Sequence, residues 1–255
     1  MLPGGRPAPS RTLPARASMA KSVWVRPMFD AIAPRYDLLN RLISFGMDGR
    51  WRRRAARAAL RNGPAVVLDV GAGTGDLAFE LHRQARTTCH VIALDFARAM
   101  LRVAQERASG TRKPSLWPLV GDALRAPLRD GTVDAVITAF VLRNLDNLDA
   151  AWQAFARALR PGGRLVILEM TPVRTPAFRA CFRIYFHRWV PLLGRLLSGH
   201  RSAYVWLPRS VDAFPPADAL AEHLRAAGFA DVQFERMGFG TVALHVARKP
   251  DGARG

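Results

Sequence analysis

A chain of 255 residues that is 49% hydrophobic can bury the core of one large domain, and a soluble globular enzyme is the default class. Its two cysteines, Cys89 and Cys181, lie far apart, which excludes a disulfide framework and a paired-cysteine zinc site and points to a reducing compartment, the cytoplasm. The formal charge of +18 is almost all arginine, since only Lys21, Lys113 and Lys249 are lysine; it favours anionic surfaces of any kind, and an arginine-biased genome would produce it as readily.

Residues 1–22 carry Arg6, Arg11, Arg16 and Lys21 with no acid, so they are expected to form a flexible basic tail ahead of a single domain over 23–250 and a short tail at 251–255. The prolines in this stretch argue against an amphipathic transit helix. Phe29 to Leu60 reads as two helices with a break around Ser44 to Gly49, Pro34 near one first turn, and a solvated arginine face over Arg50 to Arg61; the pair is placed over the opening of a sheet. From Val66 short apolar runs alternate with helical stretches, the pattern of a doubly wound α/β sheet. The strands are set at Val66 to Val70, His90 to Asp95, Leu116 to Asp122, Val133 to Phe140 and Arg164 to Met170. Each is apolar enough to be buried on both faces.

An insertion, 171–214, interrupts the alternation. Phe178, Phe182, Tyr185, Phe186 and Trp189 recur at helical spacing among Arg174, Arg179, Arg183 and Arg188, which makes a basic amphipathic helix that Pro191 should break. It serves as a lid on the sheet, as a greasy channel or membrane-facing patch, or as both. Ala217 to Ala227 reads as a helix closed by Gly228, and Asp231 to Met237 with Val242 to Arg248 as an edge hairpin around Gly238 and Gly240. No run approaches the ~18 apolar residues of a membrane span, so any membrane contact is peripheral, at the inner face.

The chemistry starts at Val66-Val67-Leu68-Asp69-Val70-Gly71-Ala72-Gly73-Thr74-Gly75-Asp76, a strand running through a glycine turn into a helix, where such sheets bind ligands. A dinucleotide fingerprint needs its third glycine one position later, where Asp76 stands. Asp69 and Asp76 beside the loop suit a cationic ligand such as S-adenosylmethionine better than a pyrophosphate. Asp95, ending the second strand some twenty residues on, is placed to accept ribose hydroxyls, and Asp122 with Ala123 to meet the adenine amino group. Taken alone, Asp122 is as well explained as a helix cap.

These features, with Phe29-Asp30-Ala31-Ile32-Ala33, Arg35-Tyr36-Asp37, Asn40, Ser44-Phe45-Gly46, Trp51, Leu142-Arg143-Asn144, Arg160-Pro161-Gly162-Gly163-Arg164-Leu165, Leu168-Glu169, Tyr204, Leu207, Ser210, Phe214 and Pro215, resemble the ubiquinone and menaquinone biosynthesis C-methyltransferase family. The resemblance covers Met28 to Arg248. It implies a class I methyltransferase fold of seven strands with the last antiparallel, and a cofactor site lined by Gly71, Gly73, Thr74, Asp95, Asp122 and Ala123, to which the reading of the glycine loop adds Asp69 and Gly75. Where the family usually has a serine and a glycine after the fourth strand, Ala139 and Val141 stand here, and a side-chain hydroxyl contact to the cofactor is lost.

The implied reaction moves a sulfonium methyl to a ring carbon of a polyprenylated quinol, a displacement that needs alignment and an oxyanion stabiliser and no nucleophilic side chain. Arg143 fits oxyanion stabilisation because a guanidinium keeps its charge and cannot serve as a base; Asn144 orients the ring or a water. Tyr36, Asp37 and Tyr204 are candidates for closing over the ring or taking its proton through water, and each reads equally well as a packed or surface residue. His187 and His200 are left structural, and metal ligation has no support. Two rival functions remain: a nucleic-acid methyltransferase, which would carry a proline-containing motif where Ala139 to Asn144 stands, and a non-catalytic scaffold, against which the acids around the glycine loop argue.

Overall fold

Alternating apolar runs and amphipathic stretches become a seven-stranded sheet with helices on both faces in the computed structural model, which describes residues 21–63, 66–110, 116–198 and 201–252. The first twenty residues of the expected tail, the last three of the chain and His200 lie outside the described residues. The strands are β1 (Val66–Val70), β2 (His90–Asp95), β3 (Leu116–Val120), β4 (Val133–Ala139), β5 (Leu159–Met170), β6 (Ala230–Met237) and β7 (Val242–Arg248). Their order is β3-β2-β1-β4-β5-β7-β6, with β7 antiparallel to both neighbours.

The helices are α1 (Lys21–Ile32), α2 (Tyr36–Ile43), α3 (Asp48–Ala59), α4 (Asp76–Gln84), α5 (Arg98–Ser109), α6 (Leu148–Ala158), α7 (Pro176–Ile184), α8 (Val190–Ser198), α9 (Arg201–Asp212) and α10 (Ala217–Ala226). One sheet face packs against small residues of α3, α4 and α5, such as Ala55, Ala56, Ala78 and Ala104. The other is covered by α6 and α10 through Trp152, Phe155, Leu220 and Leu224. A third apolar cluster joins the lid elements: Ile32, Leu39, Phe186, Val190 and Val211 meet Ala97 and Met100 at the start of α5.

Several boundaries differ from the sequence expectation for local reasons. The helical region begins at Lys21, well before Phe29, and a 3-10 turn holding Pro34 separates α1 from α2. The fourth strand stops one residue early because Phe140 turns to φ +63°, outside the extended region. The third stops at Val120, and Asp122 caps a following 3-10 turn by accepting the Leu124 N–H at 2.9 Å. The fifth starts five residues early: Leu159 already pairs with Val133, and Arg160 to Gly163 bulge out before Arg164 resumes the register opposite Ala135.

Pro191 does not break the insertion helix. A π-turn over Tyr185–Trp189 lets the Val190 N–H reach the Tyr185 carbonyl, and the proline then enters α8 at a position whose missing donor costs little. The arginine run on α3 is also not one solvated face, since Arg52 is buried in ion pairs with Asp48 and, at 3.8 Å, Asp76.

Candidate active site

The carboxyl ends of β1, β2, β3 and β4 converge on a cavity of about 500 Å³. Gly71, Gly73, Asp95, Asp122 and Ala123 line it as the sequence suggested, joined by Phe96, Met100, Val120, Ala139 and Val141, with Arg26, Phe29 and Tyr36 closing it from α1 and α2. The glycine loop is pinned to β2: the Gly71 and Ala72 N–H groups both donate to the Leu94 carbonyl, at 2.7 and 3.0 Å, and Gly73 donates to an Asp95 oxygen at 2.8 Å. Gly71 has φ +68°, and an added Cβ would sit 2.3 Å from Val141, so the departure at Val141 fills space that this glycine leaves. A Cβ on Gly73 would meet nothing within 4 Å.

Asp69, Thr74 and Gly75 do not line the cavity. Asp69 is 1% exposed, and its Oδ2 has no hydrogen-bond partner among the described residues. Burial, with the neighbouring Asp95 charge second, pushes its carboxyl up to about 8. Asp95 is raised to about 6, chiefly by burial and against the pull of the Gly73 and Ala97 N–H groups. Gly75, at φ +87°, lets Phe79 and Ala104 pack close. Thr74 belongs to an ionic latch: its hydroxyl donates to Asp37 at 2.6 Å, and Arg107 binds Asp37 at 3.1 Å, Asp76 at 2.8 Å and the Thr74 carbonyl at 2.8 Å. The latch ties α2 to the glycine loop and places Tyr36, the residue before Asp37. Burial raises the Asp37 carboxyl above the usual range, with the Thr74 hydrogen bond opposing.

A second chamber of about 360 Å³ shares Tyr36 and Phe140 with the first. Its walls are aromatic and apolar, from Ile43, Phe45, Trp51, Phe178, Phe182, Tyr185, Phe186 and Leu207, and its charged groups are Asp48, Arg52 and Arg143. Arg143, 9% exposed, is held by an ion pair with Glu169 at the tip of β5, and its guanidinium lies 5.9 Å from the Phe140 ring centroid. Asn144 lines the first cavity, and its Oδ1 accepts the Trp206 indole N–H at 3.0 Å. Burial raises the Tyr36 hydroxyl above the usual tyrosine range, while the Asn40 hydrogen bond and the Arg143 and Arg52 charges pull the other way.

Tyr204 lines neither chamber: its ring packs on α8, where a Cβ at Gly194 would come within 2.1 Å. Sequence reasoning missed Phe96, Phe140, Arg52 and the pairing role of Glu169. Of these only Glu169 left a signal, a carboxylate at the carboxyl end of an inner strand.

The lining fits S-adenosylmethionine. Among the described residues Asp95, Asp122 and Asp146 line the first cavity with Arg26 as the one basic group, a balance that favours a cation, and the side of Gly73 where a Cβ would meet nothing leaves the loop open to it. In solved structures the fold recurs in the [4+2]-cyclase SpnF, with a TM-score of 0.65 at 20% identity over 92% of this chain and 97% of that one. It recurs also in the Haemonchus contortus phosphoethanolamine N-methyltransferase 2 complex with S-adenosyl-L-methionine, with a TM-score of 0.57 at 16% identity over 88% and 60%. At sequence level the chain is 48% identical to the demethylmenaquinone methyltransferase of Thermus thermophilus over 88% of this chain and 100% of that protein. It is 38% identical to the ubiquinone/menaquinone biosynthesis C-methyltransferase of Desulfotalea psychrophila over 89% and 91%. The model of one family matches residues 17–249. A seven-stranded sheet with an antiparallel β7, a donor-sized cavity at its strand tips and relatives that match almost end to end agree: the chain belongs to the ubiE/COQ5 methyltransferase family.

Proposed function

We propose that this chain is an S-adenosylmethionine-dependent methyltransferase acting on a ring carbon of a polyprenylated quinol, with the demethylated naphthoquinol of menaquinone synthesis as its first acceptor and the benzoquinol of ubiquinone synthesis as the related one. The observation that carries this reading is the pair of chambers meeting at Tyr36 and Phe140, one polar and acid-lined, the other aromatic and apolar. The names of the relatives give the substrate class, and their identity of up to 48% supports its transfer to this chain.

S-adenosylmethionine bound in the first cavity supplies an electrophilic sulfonium methyl. Asp95 would accept the ribose hydroxyls once its carboxylate releases Gly73, the segment Val120 to Ala123 would border the adenine, and the carboxylates of Asp122 and Asp146 would help to balance the positive charge. Thr74 and Gly75 shape the loop rather than touch its contents.

In the second chamber the ring lies against Phe140 and Trp51. Arg143, oriented by Glu169, stabilises the ring oxyanion, whose proton, like the one displaced from the methylated carbon, passes to water, and the neutral Tyr36 hydroxyl donates from the wall common to both chambers. Asn144 lines the first cavity rather than this chamber, and with its Oδ1 engaged by Trp206 its Nδ2 donors remain to orient a water there. Holding the two reactants in one line in this way is worth roughly 7–11 kcal/mol.

Peripheral contact with an anionic membrane accompanies this function. It is supported by the charge of +18 and by exposed Arg179, Arg183 and Arg188 on the insertion, and no described helix is long and apolar enough to cross a bilayer. The test is transfer of label from S-adenosylmethionine to the naphthoquinol, the benzoquinol and bulk RNA. Label in the naphthoquinol first is the expected result, and label confined to RNA refutes the reading.

A further inference from the structure

Five rings follow one another along the rim of the aromatic chamber. Centroid separations are 5.4 Å from Phe45 to Tyr185, 6.4 Å from Tyr185 to Phe182, 6.1 Å from Phe182 to Phe178 and 5.6 Å from Phe178 to Phe239. The inner three belong to the insertion helix; the two ends come from separate loops, Phe45 between α2 and α3 and Phe239 in the β6–β7 connection. Those ends are 73% and 79% exposed, and both have left-handed backbones, φ +52° and +56°. Each is disfavoured twice over, as a large apolar side chain in water and as a bulky residue where glycine or asparagine would sit without strain. Nothing in the transfer reaction requires a ring at either tip.

We infer that Phe45 and Phe239 are wedges that enter the acyl region of an anionic bilayer on either side of the chamber mouth, so that a tailed quinol passes from lipid into the chamber ring first, without crossing water. A bilayer fits better than a protein partner because the exposed rings stand as separate tips on two loops. Arg179 and Arg183 follow Phe178 and Phe182 by one residue on α7, are exposed, and have no carboxylate partner among the described residues, which sets positive charge beside the wedges at headgroup level. The chamber between them continues the apolar surface inward to Phe140. The identity of the lipid-borne cargo rests on the quinol reading above; the wedges themselves rest on the exposed rings, their backbone and the charge beside them.

The test is flotation of the full-length chain with vesicles of phosphatidylcholine and phosphatidylglycerol at high salt, where arginine attraction is screened and the rings carry the binding. Phe45→Asn and Phe239→Asn suit left-handed backbone and remove the rings. Each is expected to lower the partition coefficient about tenfold, and the double variant about a hundredfold. Calorimetric S-adenosylmethionine affinity and thermal stability are expected to hold, since neither side chain lines the cofactor cavity. Unchanged partition of the double variant overturns the proposal. So does a fall in light-scattering mass, which would assign the rings to a second copy, or a loss of thermal stability, which would assign them to packing within the chain. A tailless naphthoquinol in solution, offered to the unaltered protein, separates the two readings. No transfer there, with partition falling as stated, removes the quinol and leaves the wedges, whereas transfer with unchanged partition removes the wedges alone.

Discussion

Asp69→Asn should make the cofactor-free protein more stable at neutral pH and flatten its pH dependence. The native Asp69 carboxyl is raised from 3.8 to about 8, so the folded state holds a proton that the unfolded chain has released. Its contribution is fully favourable only below the unfolded value and is lost as pH rises toward about 8. At pH 7 the cost is on the order of 4 kcal/mol, from roughly three pH units at 1.36 kcal/mol each. Asparagine removes that cost but puts an amide where one carboxyl oxygen already lacks a partner among the described residues, a penalty of roughly 1–3 kcal/mol. The first effect wins, leaving a net gain of about 1–3 kcal/mol. His82 and His245 are lowered by burial, so their contribution is present above the usual histidine value and lost as pH falls below it. Both proteins carry the same histidines, so the difference between their curves from pH 6.5 to 8 isolates the Asp69 carboxyl. Urea unfolding across that window should show the unaltered protein losing about 1 kcal/mol per pH unit relative to the variant. Parallel curves, or an unaltered protein that gains on the variant as pH rises, would refute the reasoning.

Three further outcomes follow from distances. Gly71→Ala should cost about 2 kcal/mol or more, because φ is +68° and the new Cβ meets Val141 at 2.3 Å; adding Val141→Ala should recover the steric part only, as a double-mutant cycle in urea would show. Glu169→Gln should lower stability by roughly 1–3 kcal/mol and reduce kcat more than it raises KM, since Arg143 loses its charged tether; an unchanged kcat would mean that Arg143 is placed by other contacts. Asp95→Ala should weaken S-adenosylmethionine binding in calorimetry, whereas Arg143→Lys should leave binding intact and slow turnover; the reverse pattern would exchange their roles.

The parallel sheet was legible because strands buried on both faces read as unbroken apolar runs, and Val66–Val70 and His90–Asp95 fall where those runs do. That Asp95 and Asp122 reach the first cavity was legible because residues at the tips of such strands border its opening. What stayed hidden depends on partners distant in sequence. Arg52 sits in an arginine run that gives no sign of which member turns inward to Asp48 and Asp76. Tyr204 matched the family pattern, but only the crossing of α8 and α9 shows its ring packed on Gly194 rather than facing the substrate chamber. Pro191 looked like a stop because the π-turn that accommodates it carries no compositional mark.

The walls of the two chambers come from different parts of the gene. The donor side is drawn from strand tips and α1, while much of the acceptor side lies in the insertion, with Tyr36 and Phe140 common to both. Exchange of 171–214 between relatives would thus alter which tailed ring is accepted while leaving the methyl supply intact, and acceptor preference in this architecture is free to diverge as a replaceable cassette.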